Sequence, residues 1–516
     1  MIPIGSTGPL HTAGVTLAGV PSIDALALAP VIAPVIALIL ILLIDALVPG
    51  GTRWRPMMDV VALAGLIAAA VGVAVLASGQ DRRTACVTGS EGLLPQCSFV
   101  TSDLTLALQA VILVAAIGCL LLSIDGPGAQ DRTAHHVLLL SAVAGAVALA
   151  GARDLATLVV ALETASLPAI GLVALRRDAQ GAQAGITLLL TAVGSLGLLV
   201  LGVALIFLAT GSLHLETIAT TLSAPDLDRP VLAVAGLGTA LSIAGIGFKI
   251  SLVPFHLWTP DTYAGAPLPI AAFLSTVSKA AGVSALAVLL GLGLAPLAHV
   301  WVPIVGVLAL ITMTVGNLVA LRQQVAVRLL AWSTVAQAGW VLVPFASIDG
   351  SADGIRTAFA ASVGYLLAYV VASLAAFAVV VLVARHHPAG EEHTLQAYRG
   401  LARNEPVAAA VLGFALACLA GLPPGVMGLI AKVVVLKPLV DEGVWFIAVI
   451  AAVNVAIGLA YYLRWAGLLL ATPVQEPPRW RVRPAEGLVL GGAAAACVGL
   501  SLGGQIIADL LPGVLR

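Results

Sequence analysis

Long apolar runs recur from one end of this chain to the other, among them Val31–Ile44, Ile186–Ala209 and Val370–Ala384. No other feature constrains the fold as strongly. A bilayer core is crossed by about 20 mostly apolar residues in a helix. Lipid offers no partners for backbone N–H and C=O groups, so only helices and closed barrels span it. Barrels show aromatic girdles and alternating segments of about ten residues. The runs here are longer and uniformly apolar. Composition agrees: 60% of residues are hydrophobic and 9% charged, with a mean hydropathy of +1.09. A soluble domain carries roughly 25% charged residues. A chain of 516 residues with so few charges could not cover its own surface in water. The reading is an all-α polytopic membrane protein.

The runs divide into about fourteen spans of bilayer length. They fall near residues 28–48, 59–78, 103–123, 135–151, 155–175, 183–209, 231–252, 266–290, 300–320, 328–346, 357–384, 406–437, 443–466 and 487–510. The polar stretches between them, Gln80–Ser102, Leu213–Pro230, Arg385–Glu405 and Thr472–Glu486, read as loops rather than inserted domains. No basic segment precedes the first run, and the first Lys or Arg is Arg53. That argues for a retained span rather than a cleaved signal. With the N-terminus outside, inside loops hold roughly twice as many Lys and Arg as outside loops, the sense of the positive-inside rule. Both termini are then expected outside, together with Cys86 and Cys97 in one polar loop. A disulfide or two free thiols fit that loop equally. The formal net charge of -1 gives no pull toward nucleic acid.

Two spans are interrupted. In Gly247–Pro260 (GFKISLVPFHLWTP), Pro254 cannot donate to the carbonyl of Ile250, so the helix opens just past Lys249. In Leu416–Lys432 (LACLAGLPPGVMGLIAK), Pro423 and Pro424 do the same to Leu419 and Ala420. Broken helices at membrane depth are tolerated where buried in protein or lining water. Paired breaks in two halves of a chain point to transport sites.

Four ionisable groups lie within spans: Glu163, Lys249, Lys279 and Lys432. A charge at the bilayer centre costs about 2.5–3.5 kcal/mol on insertion scales, so such groups are usually functional. Lys437 and Asp45 sit near helix ends, where the long lysine stem reaches water, and read as structural. Three deep lysines cannot all pair with the single deep carboxylate. The imbalance favours a proton relay over packing. Burial favours the neutral amine and a nearby carboxylate the charged one, so moving the two groups relative to each other loads or releases a proton. His256, just past Pro254, is a candidate relay or a cap for the break. Asp261 is expected to satisfy backbone donors freed there. His135 and His136 read as solvated interface residues. A relay working against a membrane potential faces about 2.3 kcal/mol per charge per 100 mV. The sequence carries no phosphate loop, dinucleotide fingerprint, CxxC cluster or histidine ligand set to supply that energy. No cofactor-binding or metal-binding residues are assigned.

The stretch Phe248–Gly282 (FKISLVPFHLWTPDTYAGAPLPIAAFLSTVSKAAG) resembles the signature of the antiporter-like membrane subunits of respiratory complex I, with wording closest to the subunit N branch. ALETASLPAIGLVAL at 161–175, GNLVALRQQVAVRLLAWSTVAQAGW at 316–340, GLARNEPVAAAVLGFALACLAGLPP at 400–424 and YYLRW at 461–465 extend the likeness over roughly Arg153–Trp465. The resemblance implies two inverted five-helix repeats, at 135–291 and 292–466, with the broken seventh and twelfth spans in register. An N-terminal three-helix segment, 1–134, and a final loop and span, 467–516, flank them. It implies that Glu163 and Lys249 are a coupled pair, Lys279 the central lysine and Lys432 the terminal one. It further implies proton translocation in a cell membrane as part of NADH-quinone oxidoreductase. NAD, FMN, iron–sulfur clusters and quinone would sit in partner subunits, and other membrane subunits would be the partners. Three departures stand out. No Lys or Arg occurs between Asp178 and His214, Gln337 stands where many relatives have histidine, and Ala264 replaces a common acidic residue. The alternatives are a subunit of a multisubunit sodium/proton antiporter and a non-conducting structural spacer.

Overall fold

The computed structural model of the chain describes residues 23–47, 54–87, 96–124, 132–386, 393–473 and 482–503. Arg53, His387, Arg479, Arg481 and Arg516, among the residues read as loop or terminal groups, lie outside the described residues. The helices are α1 Ala29–Leu47, α2 Arg55–Ala77, α3 Asp103–Ser123, α4 Arg132–Gly151, α5 Leu155–Ala174, α6 Ala179–Thr210 and the short α7 Leu215–Leu222. They continue as α8 Arg229–Ile250, α9 Trp258–Gly265, α10 Leu268–Ser275, α11 Val277–Val288, α12 Ala298–Ala320, α13 Ala326–Leu342 and α14 Ala352–His386. The last are α15 Leu401–Asn404, α16 Pro406–Ala420, α17 Val426–Asp441, α18 Trp445–Leu470 and α19 Pro484–Leu502.

Among the described residues 13 helical segments are long and apolar enough to cross a membrane. The α16–α17 pair, each half too short alone, makes the fourteenth (13 + 1). The expected number of spans therefore holds. The loop expected at Gln80–Ser102 does not. It contains an antiparallel hairpin, β1 Arg82–Val87 with β2 Gln96–Thr101, in which Cys86 and Cys97 face each other and form a disulfide. Alternation was hidden there because Arg82, Arg83 and Gln96 dominate the polar signal.

Burial sorts the spans into layers. In α1 and α6 only 22% of the central window is buried, whereas it is 94% in α14 and 100% in the span built from α10 and α11. The least buried helices turn apolar side chains such as Leu40, Ile186 and Leu190 outward. That is what a lipid-facing or subunit-facing helix requires. The fully surrounded helices have no solvent to satisfy a polar side chain, so each polar group on them needs a protein partner.

Close helix packing fixes where α5 presents its charge. A Cβ on Gly145 of α4 would stand 2.5 Å from the Ala165 nitrogen and 2.7 Å from the Thr164 carbonyl carbon of α5. Only a bare backbone fits there. Gly145→Leu is therefore expected to push α5 away, carrying Glu163 with it, and to destabilise the chain by about 1–3 kcal/mol. Thermal unfolding of the purified protein in detergent measures this. An unchanged midpoint would show that the two helices adjust without cost.

Candidate functional site

The first group is built at the end of α8. That helix stops at Ile250 because Ser251 turns into the left-handed region (φ 67) and Pro254 cannot continue the backbone ladder. Lys249 thus lies in a last helical turn. Its Nζ donates to Ser166 Oγ on α5 at 2.8 Å and reaches the Ala165 carbonyl at 3.4 Å. Glu163, one turn earlier on α5, is half-buried. Glu163, Ser166 and Lys249 line one cavity of about 10 Å³ with Leu162, Gly245 and Phe248. That is room for about one water. The two charged groups share the cavity without a direct ion pair, and the amine rests on the Ser166 hydroxyl.

The break supplies the second group with partners. Once the helix has opened, the Lys249 carbonyl is free to accept. Lys279 on α11 donates to it at 3.4 Å and to Ser251 Oγ at 2.5 Å. The Lys279 ammonium lies 4.6 Å above the Trp258 ring, and Trp258 itself is held by an Nε1–H bond to the Phe248 carbonyl at 3.0 Å. Val253 N–H, freed by the same break, donates to Thr312 Oγ1 at 3.0 Å. Asp261 does not take the freed donors. It pairs with Arg328 at 2.8 Å on an exposed face, because α9 carries it outward.

The twelfth span is also capped by a lysine, here from its own second half rather than from the next span. Residues Gly421–Gly425 separate α16 from α17, and Lys432 of α17 folds back to cap the end of α16. Its Nζ donates to the carbonyls of Leu419 at 3.1 Å and Ala420 at 2.5 Å, and lies 5.3 Å from the Trp340 ring. In both broken spans a lysine closes the C-terminal end of a half-helix beside an indole. Half-helix C-termini attract cations and aromatic faces do the same. No carboxylate lies within 4.0 Å of Lys279 or Lys432 among the described residues.

Two groups of hydroxyls, one of them holding an amide, lie on the buried helices that carry or adjoin the two lysines. Ser275 Oγ meets Tyr369 OH at 2.7 Å and Thr334 Oγ1 at 3.0 Å. One turn further along α13, Gln337 donates to Tyr462 OH at 3.0 Å and to the Leu419 carbonyl at 3.2 Å, and accepts from Tyr365 OH at 2.5 Å. Ser333 and Tyr462 are joined at 2.5 Å. Gln337 and Lys432 thus share the Leu419 carbonyl. The amide cannot titrate at this node as a histidine would, but all its contacts fix its orientation.

The structure thus brings Glu163 and Lys249 to one cavity, Lys249 and Lys279 to one opened helix end, and Lys432 and Gln337 to one carbonyl. His256 joins none of these. Its ring packs edge-on against Trp332, 5.2 Å between centroids, and makes no hydrogen bond to the lysines. Sequence reasoning missed Ser166, Ser251, Ser275, Ser333, Thr334, Tyr365, Tyr369 and Tyr462. The available signal was polar groups one turn apart within very apolar helices, as in Tyr365 and Tyr369. His136 is not a solvated residue: it is buried and bonds Asp59 of α2 at 2.7 Å, while Arg132 pairs with the same carboxylate. Lys437 pairs with Asp441 on an exposed face near the end of α17, in keeping with a structural role.

A polytopic bundle with two broken spans, each closed by a buried lysine, is the architecture of an antiporter-like membrane subunit. The chain belongs to the NADH:quinone oxidoreductase/Mrp antiporter transmembrane family, whose model matches residues 152–458. It is 44% identical over 489 residues to NADH-quinone oxidoreductase subunit N 2 of Streptomyces griseus, covering 92% of this chain and 89% of that protein. It is 43% identical to NADH-quinone oxidoreductase subunit N of Salinispora tropica, covering 88% and 86%. A chain of respiratory complex I from Thermus thermophilus superposes with a TM-score of 0.75 at 28% identity, covering 93% of this chain and 98% of that one. A chain of the Mrp complex from Dietzia sp. gives 0.81 at 20% identity, covering 95% and 97%. The latter likeness speaks for the fold alone.

Proposed function

We propose that protons cross this chain along Glu163, Lys249, Lys279 and Lys432, handed on by the neighbouring hydroxyls. The chain is a proton-translocating membrane subunit of NADH-quinone oxidoreductase. The observation that carries the proton path is Lys279, held at once on the opened-helix carbonyl of Lys249 and on Ser251. It links the first lysine to the second through the break itself. Glu163 is the group whose distance from Lys249 sets the first transfer, across the small shared cavity. Lys432 is the terminal station. His256 stands beside the path as a cap of the turn.

Electron transfer takes place in partner subunits, which hold NAD, FMN, iron–sulfur clusters and quinone. The other membrane subunits of the complex are the lateral partners of this chain, met through its lipid-level apolar faces. The two five-helix repeats, 135–291 and 292–466, are supported by the lysine caps on their broken spans. The chain lies in the cell membrane with both termini on the outer side, supported by the bias of Lys and Arg toward the inner loops.

A sodium/proton antiporter subunit would share this fold. The level of identity to subunit N relatives favours the redox-driven reading. Inverted membrane vesicles containing the chain test it. Addition of NADH is expected to acidify the lumen without sodium, and deletion of the chain is expected to remove most of that acidification. Acidification driven by a sodium gradient but not by NADH would replace the redox reading with the antiporter.

A further inference from the structure

A second built site lies away from the lysines, where α3, α4 and α14 meet the turn between α11 and α12. It is a cleft of about 510 Å³. Leu104, Val288, Leu292, Ile355 and Phe359 form its apolar wall, and Asp81, Asp103, Arg153 and Arg356 its charged part; Arg356 is already paired with Asp353. These helix ends sit together with the hairpin at one face of the bundle, the level at which lipid headgroups lie.

Arg153 is the unusual member. It is only 8% exposed, yet no carboxylate lies within 4.0 Å of it among the described residues. Its guanidinium donates to the Ala152 carbonyl at 2.8 Å, Ser102 Oγ at 3.2 Å and Thr105 Oγ1 at 3.1 Å. All three acceptors are neutral. A guanidinium has five N–H donors, so two remain. Its backbone is locked on both sides: its N–H donates to Ser98 of β2 at 2.9 Å, and its carbonyl accepts from Leu215 of α7 at 3.0 Å. Burial pulls the group down to about 10, so it remains cationic at cellular pH. A fixed, buried cation with spare donors, hydrogen-bonded only to neutral groups and with Asp81 and Glu216 acting on it from beyond ion-pair distance, is prepared for an anion. On the same cleft Asp81 and Asp103 stand close enough to repel each other, and among the described residues neither has a hydrogen-bonded partner or an ion pair within 4.0 Å, although Asp81 lies near enough to act on Arg153. Two carboxylates so placed are prepared for a cation.

We propose that this cleft binds an amine-bearing phospholipid headgroup of the phosphoethanolamine class. The phosphodiester meets Arg153, the ammonium meets Asp81 and Asp103, and the first part of an acyl chain lies on Leu292, Ile355 and Phe359. The charge pattern selects a zwitterion. A purely anionic headgroup would leave the two carboxylates unpaired, and free phosphate would leave the apolar wall uncovered. The site is independent of the proton path.

Photo-crosslinking tests it on the full chain in its native membrane assembly. The probe is phosphatidylethanolamine with a diazirine on one acyl chain, and the labelled peptides are mapped by mass spectrometry. Labelling is expected within Val288–Pro296 and Ala352–Phe359. It is expected to fall about tenfold in the Asp81→Asn/Asp103→Asn double variant, the equivalent of about 1.4 kcal/mol. Ala295→Trp, which fills the cleft, is expected to abolish it. Arg153→Lys keeps the charge but loses the fork and is expected to fall between. An equally photoactive phosphatidylglycerol that labels these peptides as well as phosphatidylethanolamine overturns the selection of a zwitterion. Competition by millimolar inorganic phosphate assigns the site to free phosphate and overturns the lipid. Unchanged labelling in assembled double-variant complexes overturns the site. If Ala295→Trp fails to assemble, the double variant alone decides.

Discussion

Lys279→Ala is expected to lower NADH-driven proton translocation by at least about tenfold, which corresponds to about 1.4 kcal/mol on the limiting barrier. The reason lies in what the amine touches. Among the described residues Lys279 is the one side chain that reaches both the Lys249 carbonyl and Ser251 Oγ, and it does so from a helix with no exposed face. Alanine removes the amine that sits on the opened helix end, one turn along from Ser275 and its bonds to Thr334 and Tyr369. It also leaves the buried Lys249 carbonyl without its donor, at a cost of about 1–3 kcal/mol, while Ser251 keeps its bond to Thr259 Oγ1. Assembly must therefore be followed alongside pumping, by native gel and by NADH oxidation. Dye quenching in vesicles, normalised to assembled complex, gives the pumping rate. Intact assembly with normal pumping would make Lys279 a packing residue and the chain a spacer.

The second large effect concerns the first pair. Glu163→Gln and Lys249→Met are each expected to reduce pumping about tenfold or more, and the double variant is expected to be no worse than the more severe single one. Groups that act as a unit give such non-additive losses. The geometry predicts this because both side chains open onto a cavity with space for about one water, and nothing else in its lining titrates. Among the residues lining that cavity, Lys249 is the titratable group that Glu163 faces. Glu163→Asp, which keeps the charge but shortens its reach, is expected to retain part of the activity. Losses that multiply in the double variant would mean two separate routes, and the coupled pair would be abandoned.

The proline breaks were legible in the sequence because proline removes a backbone donor wherever it stands. The four buried charges were legible because lipid makes each of them conspicuous. Gln337 was visible only as a departure from its relatives. Its role as the node joining Tyr365, Tyr462 and the Leu419 carbonyl needed four elements in place. The hairpin was missed because short strands rich in arginine carry little alternation. The buried state of Arg153 and His136 was missed for a different reason. Each lies near a helix end, where sequence offers water as readily as protein.

By itself the sequence determined that this chain spans a membrane many times, that two spans are broken, and that Glu163, Lys249, Lys279 and Lys432 sit inside spans. Those facts depend on local chemistry: apolar length, missing donors and the cost of charge in lipid. Which groups meet was decided only by the tertiary structure. Lys279 and Lys249 are far apart along their helices' own periodicities, and Lys432 faces backwards onto a half-helix that precedes it. Such meetings depend on helix crossings set by bare glycine contacts, and on carbonyls that exist as acceptors only once a helix has opened.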